Sequence, residues 1–66
     1  MLKGEQIKID TPTLRKLIGK KVEYLLKRDS LYSSRRGTIT DIIRRQVDLG
    51  NGDYIPFDSI KEIVLL

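Results

Sequence analysis

Short runs in which apolar and polar residues alternate dominate the chain from residue 20 onward. Val22, Tyr24 and Leu26 alternate with Lys21, Glu23 and Leu25, of which only Leu25 is apolar. This pattern predicts a strand over 20–28 with Val22, Tyr24 and Leu26 on its buried face. Tyr24 and Phe57 are therefore expected in the core. The same reading predicts four further strands, over 37–43, 46–49, 54–57 and 61–66.

The second predicted strand contains a break in its alternation. Ile39 and Ile42 are three residues apart, whereas side chains on one face of a strand repeat every two. Either Asp41 points inward, which is costly for a charge without a partner, or a bulge near Thr40 and Asp41 resets the phase. We favour the bulge, because it also bends the strand.

The segment Gly50-Asn51-Gly52 is the clearest turn signal in the chain. A two-residue turn at Asn51-Gly52 would place Asp48 opposite Ile55, on one face with an apolar side chain. A three-residue loop instead pairs Val47 with Ile55 and brings Leu49 and Phe57 to that face. Because a slip of one residue reverses every side chain, the apolar pattern favours the three-residue loop, with Gly52 at positive φ.

A short helix is predicted over 12–18. Asp10 or Thr11 is suited to cap its N-terminus, and Pro12 is suited to the first turn. Gly19 is suited to end it in a left-handed conformation. A helix this short needs tertiary support, so we expect its apolar face to pack on the core: Leu14, Leu17 and Ile18.

The 66 residues are expected to form a single domain that is mainly β. It comprises an N-terminal arm or edge strand over 1–11, the helix over 12–18 and a small antiparallel barrel over 20–66. A closed barrel removes the exposed edges that so few strands would otherwise leave.

Composition excludes several classes of site. The chain has no Cys and no His, which removes thiolate chemistry and the usual metal ligand and general base. Asp48, Asp53 and Asp58 recur every five residues, which is not the spacing of a metal-binding loop. We therefore expect no enzyme, no cofactor, no metal and no small-molecule substrate.

Hydropathy gives an expectation about location. No apolar run approaches the roughly 20 residues of a membrane span, and the first residues lack the apolar core of a signal peptide. These features predict a cytoplasmic protein without membrane partners.

Four segments together resemble the landmarks of SH3-like small barrels, a group that includes Sm-like, Tudor and KOW-type domains. These segments are Leu17-Ile-Gly-Lys-Lys-Val22, Gly37-Thr-Ile39, Val47-Asp-Leu49 and Tyr54-Ile-Pro-Phe-Asp-Ser-Ile60. The resemblance covers about residues 12–66 and implies a five-stranded antiparallel barrel after a short N-terminal helix. The chain lacks the Asp-x-x-x-Asn loop of Sm-like proteins, since Arg45 stands four residues after Asp41. It also lacks the Trp of peptide-binding SH3 domains.

Charge is distributed unevenly along the chain, whose net charge is +4. Residues 15–45 carry ten lysines and arginines against three carboxylates, whereas residues 46–66 carry a net charge of −3. Clustered cations attract phosphate by releasing condensed counterions, and an exposed aromatic ring can stack on a base. The candidate nucleic-acid-binding residues lie at strand ends and in a predicted loop over 29–34: Lys20, Lys21, Lys27, Arg28, Tyr32, Arg35 and Arg36.

Two functions follow from this pattern. The first is non-catalytic binding of RNA or DNA with low sequence specificity through a basic loop surface. The alternative is a protein-interaction or assembly adaptor that pairs a partner strand with an exposed barrel edge. Charged residues at strand ends also keep a small protein soluble, so the basic pairs alone do not separate these functions. The oligomeric state is left open.

Overall fold

A computed structural model describes residues 2–66 as eight short elements. The helix and strands are α1 (Thr11–Arg15), β1 (Lys21–Arg28), β2 (Leu31–Thr38), β3 (Asp41–Ile43), β4 (Gln46–Asp48), β5 (Tyr54–Pro56) and β6 (Ile60–Leu65), with a 3-10 turn at Phe57–Ser59 between the last two strands.

The strands form two antiparallel sheets of three. The first sheet has the order β2-β1-β6 and the second the order β3-β4-β5. The prediction of a mainly β protein with one short helix is confirmed. The prediction of five strands is wrong, because six are present, and the strand pairing within residues 2–66 does not close a barrel.

The two sheets are joined where the chain passes from β2 to β3. Ile39 and Ile42 are both buried, on either side of exposed Thr40. The change of phase between them is therefore a passage from one sheet to the other, and not the predicted bulge within one strand. Asp41 is half-buried and begins β3.

A close approach of two backbones holds this junction together. Gly37, near the end of β2, lies against Leu49 of the β4–β5 loop, and a Cβ on Gly37 would fall 2.3 Å from the Leu49 carbonyl oxygen. That oxygen accepts a hydrogen bond from the Thr38 N–H at 3.2 Å. Only glycine leaves room for this contact.

The β1–β2 hairpin corrects the predicted loop over 29–34. Arg28 pairs directly with Leu31, so the turn consists of Asp29 and Ser30 alone. β2 lies at the edge of the first sheet, and its residues 31–36 are all exposed. Because neither face of this strand is buried along those residues, their sequence carries no apolar alternation.

The β4–β5 hairpin confirms the predicted register. Val47 pairs with Ile55, and Gly52 has φ +83°. Val47, Leu49 and Phe57 are buried as predicted, whereas Ile55 is half-buried and packs at the margin of the core.

The helix is shorter than predicted and ends at Arg15. Its cap is Asp10, whose side chain accepts a hydrogen bond from the Thr13 N–H at 2.8 Å. Leu14 is fully buried and Leu17 packs against the core, but Ile18 is 47% exposed, so its predicted burial is wrong. Ile18 leaves the apolar face because the chain after Arg15 continues as turns and not as helix.

The N-terminal arm lies along β6 with little strand pairing. Gln6 forms an isolated bridge with Val64, and the Ile7 N–H donates to the Ile63 carbonyl at 2.9 Å. Ile7 and Ile9 pack against the core. Met1, the first residue of the predicted arm, lies outside the described residues.

Candidate nucleic-acid interface

The β1–β2 hairpin carries all seven candidate binding residues, and we call residues 20–38 the basic hairpin. Every one of the seven is exposed. Lys20 precedes β1, and the other six lie within the two paired strands: Lys21, Lys27, Arg28, Tyr32, Arg35 and Arg36.

The strand register divides these side chains between two faces. Residues that pair directly across an antiparallel ladder point to the same face. Lys27 pairs with Tyr32 and Glu23 pairs with Arg36, on the face turned away from the core. Arg35 pairs with buried Tyr24, so it lies on the face turned toward the second sheet, as does Arg28.

The structure thus distributes the two basic pairs along the hairpin. One face carries Lys27 and Arg36, and the other carries Arg28 and Arg35. On each face the two cations lie four residue pairs apart along the ladder, a separation of about 13 Å at the rise of a strand. The predicted loop over 29–34 is absent, so these cations do not gather at the base of a loop. Tyr32 is not at a loop tip either: it lies beside Lys27 on β2 and is 53% exposed.

Carboxylates neutralise the basic hairpin only in part. It carries six lysines and arginines against Glu23 and Asp29, a net charge of +4 that equals that of the whole chain. Glu23 accepts a hydrogen bond from the Ser34 hydroxyl at 2.8 Å. Within residues 2–66 the one ion pair joins Lys8 and Asp10, so the six hairpin cations are free to meet an anionic ligand.

The inward face of the basic hairpin forms one wall of a cleft of about 260 Å³. Arg28 and Arg35 line this wall, and Lys27 also contributes to the lining. The opposite wall comes from the β4–β5 hairpin and includes Asn51, Asp53 and Tyr54. The cleft is therefore cationic on one side, and polar with one carboxylate on the other.

A hydrogen bond across the second sheet fixes Tyr54 in that wall. Its hydroxyl donates to Asp41 Oδ2 at 2.6 Å, reaching over the middle strand. This bond, followed by one from the Ile42 N–H, lowers the pKa of Asp41, and Asp41 in turn raises the pKa of Tyr54. Tyr54 thus stays neutral, with its ring held in place and 39% exposed.

Sequence reasoning missed the second wall of the cleft. Asn51 and Asp53 belong to a hairpin whose sequence indicates only a turn, and they approach the basic hairpin because the chain switches sheets after Thr38. No local sequence pattern predicts that the β4–β5 hairpin approaches the basic hairpin. Of the wall's members, Tyr54 was the one with a visible signal, an aromatic residue on a polar strand face.

Two further observations concern residues 2–66. No three His, Cys, Asp or Glu side chains lie together in an arrangement that would hold a metal ion. The helix is far too short to cross a membrane, and no other helix there is long and apolar enough to do so.

Comparison with known proteins finds no matching family model, no similar curated protein and no similar solved structure.

Proposed function

We propose that this protein is a non-catalytic nucleic-acid-binding module that contacts RNA or DNA through the basic hairpin with low sequence specificity. The observation that carries the proposal is the set of six exposed cations on one hairpin, none of them in an ion pair within residues 2–66. An ordered strand pair holds their backbones in a fixed array, and Tyr32 lies among them.

Phosphate is the group that such an array binds best. Each lysine or arginine that neutralises a phosphate releases condensed counterions, which favours binding regardless of base sequence. Cations separated by about 13 Å along an extended hairpin suit successive contacts along a backbone better than one compact anion.

Tyr32 adds a feature suited to single strands. Its ring is exposed beside Lys27, so a base could stack on the ring while the neighbouring ammonium meets a phosphate. In a duplex the bases are already stacked on each other, and the same ring would have no free partner.

The scaffold that we propose for this module is an SH3-like small barrel. Two features support it. The chain bends from one three-stranded sheet into the other after Thr38, and a 3-10 turn precedes the last strand. The β1–β2 and β4–β5 hairpins lie beside one cleft.

The test is fluorescence anisotropy with a labelled oligo-dT strand and a labelled duplex at several salt concentrations. Each duplex phosphate contact contributes about −0.9 to the slope of log K against log salt. R35A/R36A should flatten the slope by up to about two units on duplex. K3Q/K61Q is the matched control, since it removes the same charge from outside the basic hairpin.

Tyr32→Ala separates stacking from charge. It should weaken binding to oligo-dT by about 1–3 kcal/mol and leave duplex binding unchanged. Loss of affinity that is equal in R35A/R36A and K3Q/K61Q would show that only net charge matters, and would contradict a contact at this hairpin.

The edge of β2 supports a second candidate function, strand addition by a protein partner. Within the described residues β2 is paired on one side only over residues 31–36, and Leu31 is 71% exposed. A partner strand would gain main-chain hydrogen bonds there. The affinity of such binding would change little with salt concentration. Absence of oligonucleotide binding at low salt would favour this candidate.

A further inference from the structure

The turn between β3 and β4 adopts a backbone conformation that its residues disfavour. It consists of Arg44 and Arg45, whose φ angles are +47° and +59°. A two-residue turn with both residues at positive φ is a type I′ turn, for which Asn-Gly is the preferred sequence. The chain has Asn-Gly at residues 51–52, whereas the type I′ turn between β3 and β4 consists of two arginines.

Arg45 is held in place by the segment that precedes β6. Its carbonyl accepts a hydrogen bond from the Phe57 N–H at 2.9 Å, and its guanidinium carbon lies 5.6 Å from the centroid of the Phe57 ring. This cation–π contact orients the side chain without neutralising its charge. Both arginines are exposed, and neither takes part in an ion pair within residues 2–66.

The arginine turn lies next to a strand pair that reaches the cleft beside the basic hairpin. Pro56 lines that cleft together with Arg28 and Arg35. Pro56 also pairs with Gln46, the residue immediately after the turn. A chain lying along the cleft and leaving it past Pro56 would therefore meet Arg45 and Arg44.

We propose that the Arg44–Arg45 turn is a second phosphate-contacting site, which binds the backbone of a nucleic-acid strand that lies along the cleft. This inference depends on the proposed function. Strained backbone persists where surrounding structure enforces it and is concentrated at functional sites. Here the requirement is positive charge at the end of the cleft, which Asn-Gly would not supply.

The decisive variant is R44N/R45G, assayed in the full chain with labelled oligo-dT over a range of salt concentrations. Relief of the strained turn should raise Tm by about 5 °C. Loss of two phosphate contacts should reduce the log–log salt slope by up to about 1.4 units on a single strand, at about 0.7 per contact. A protein that becomes more stable and binds more weakly is the expected result.

Two controls distinguish the possible failures. R44Q/R45Q removes both charges but keeps residues that are strained at positive φ. It should weaken binding as much as R44N/R45G does. K3Q/K61Q removes the same charge elsewhere. If R35A/R36A weakens binding but R44N/R45G behaves like K3Q/K61Q, this inference is overturned and the basic hairpin remains. If the wild-type protein does not bind, both proposals fail.

Discussion

Replacement of Gly37 by alanine should destabilise the junction between the two sheets. The added Cβ would lie 2.3 Å from the Leu49 carbonyl oxygen and 3.2 Å from the Leu49 Cβ, where ordinary contact begins at 3.4 Å. The nearest obstacle is backbone, which cannot rotate away as a side chain can. The two backbones must separate by about 1 Å, and the nearby hydrogen bond from Thr38 to Leu49 must lengthen.

Overpacking of this kind costs about 1–3 kcal/mol. In a domain of this size each kcal/mol lowers Tm by about 4–8 °C, so Gly37→Ala should melt about 4–24 °C below the wild type. Thermal unfolding followed by circular dichroism measures this shift. Ser33→Ala, an exposed change on the same strand, is the control and should stay within about 0.5 kcal/mol. Equal melting temperatures for the two variants would refute the close approach of the sheets.

Three further predictions concern the core, the β4–β5 turn and the hydrogen bond across the second sheet. Leu14→Ala should cost about 2–5 kcal/mol in chemical denaturation, because Leu14 is fully buried, and half-buried Leu17→Ala should cost less. Gly52→Val should cost more than about 1 kcal/mol by the same measurement, although open space surrounds Gly52, since a β-branched residue is strained at φ +83°; an unchanged midpoint would contradict the turn geometry. Tyr54→Phe should flatten the acid side of a Tm–pH profile. In the folded protein the pKa of Asp41 lies below its ordinary value of 3.8, so the ionised carboxylate stabilises the fold above that pH. This stability is lost as the pH falls through the folded pKa, and removing the Tyr54 hydroxyl donor reduces the loss. Parallel acid limbs for the variant and the wild type would contradict this assignment.

The predictable parts of the fold are those in which local pattern and burial agree. Val47 pairs with Ile55 because a one-residue slip would have placed Asp48 beside an apolar side chain. β1 alternates because Val22, Tyr24 and Leu26 are buried while the residues of its other face are exposed or half-buried. In both places one face is buried, so the alternation of apolar and polar residues with a period of two predicts the strand.

The parts that were missed are those where tertiary contacts override local pattern. β2 reads as a polar loop because residues 31–36 bury neither face, and only pairing with β1 makes them a strand. Ile18 has helical spacing from Leu14, but the helix ends at Arg15 and turns Ile18 toward solvent. The switch of sheets after Thr38 depends on Gly37 meeting Leu49, a contact between residues twelve apart.

The candidate site was predictable in composition but not in arrangement. Sequence alone identified the basic residues, because charge is visible without a structure. It grouped them at a loop that the register of β1 and β2 replaces with two faces. The opposing wall with Tyr54, and the strained turn at Arg44 and Arg45, depend on backbone geometry that residue types do not reveal.

The most direct test of the central claim is a titration of ¹⁵N-labelled protein with unlabelled oligo-dT at low salt, followed by amide chemical shifts. If the basic hairpin binds the phosphate backbone, shifts should concentrate on residues 20–38, extend to the Arg44–Arg45 turn, and reverse when salt is added. The arm over residues 2–9 and the exposed face of β6 should not change. Shifts confined to those control regions, or no shifts at all, would contradict nucleic-acid binding by this hairpin.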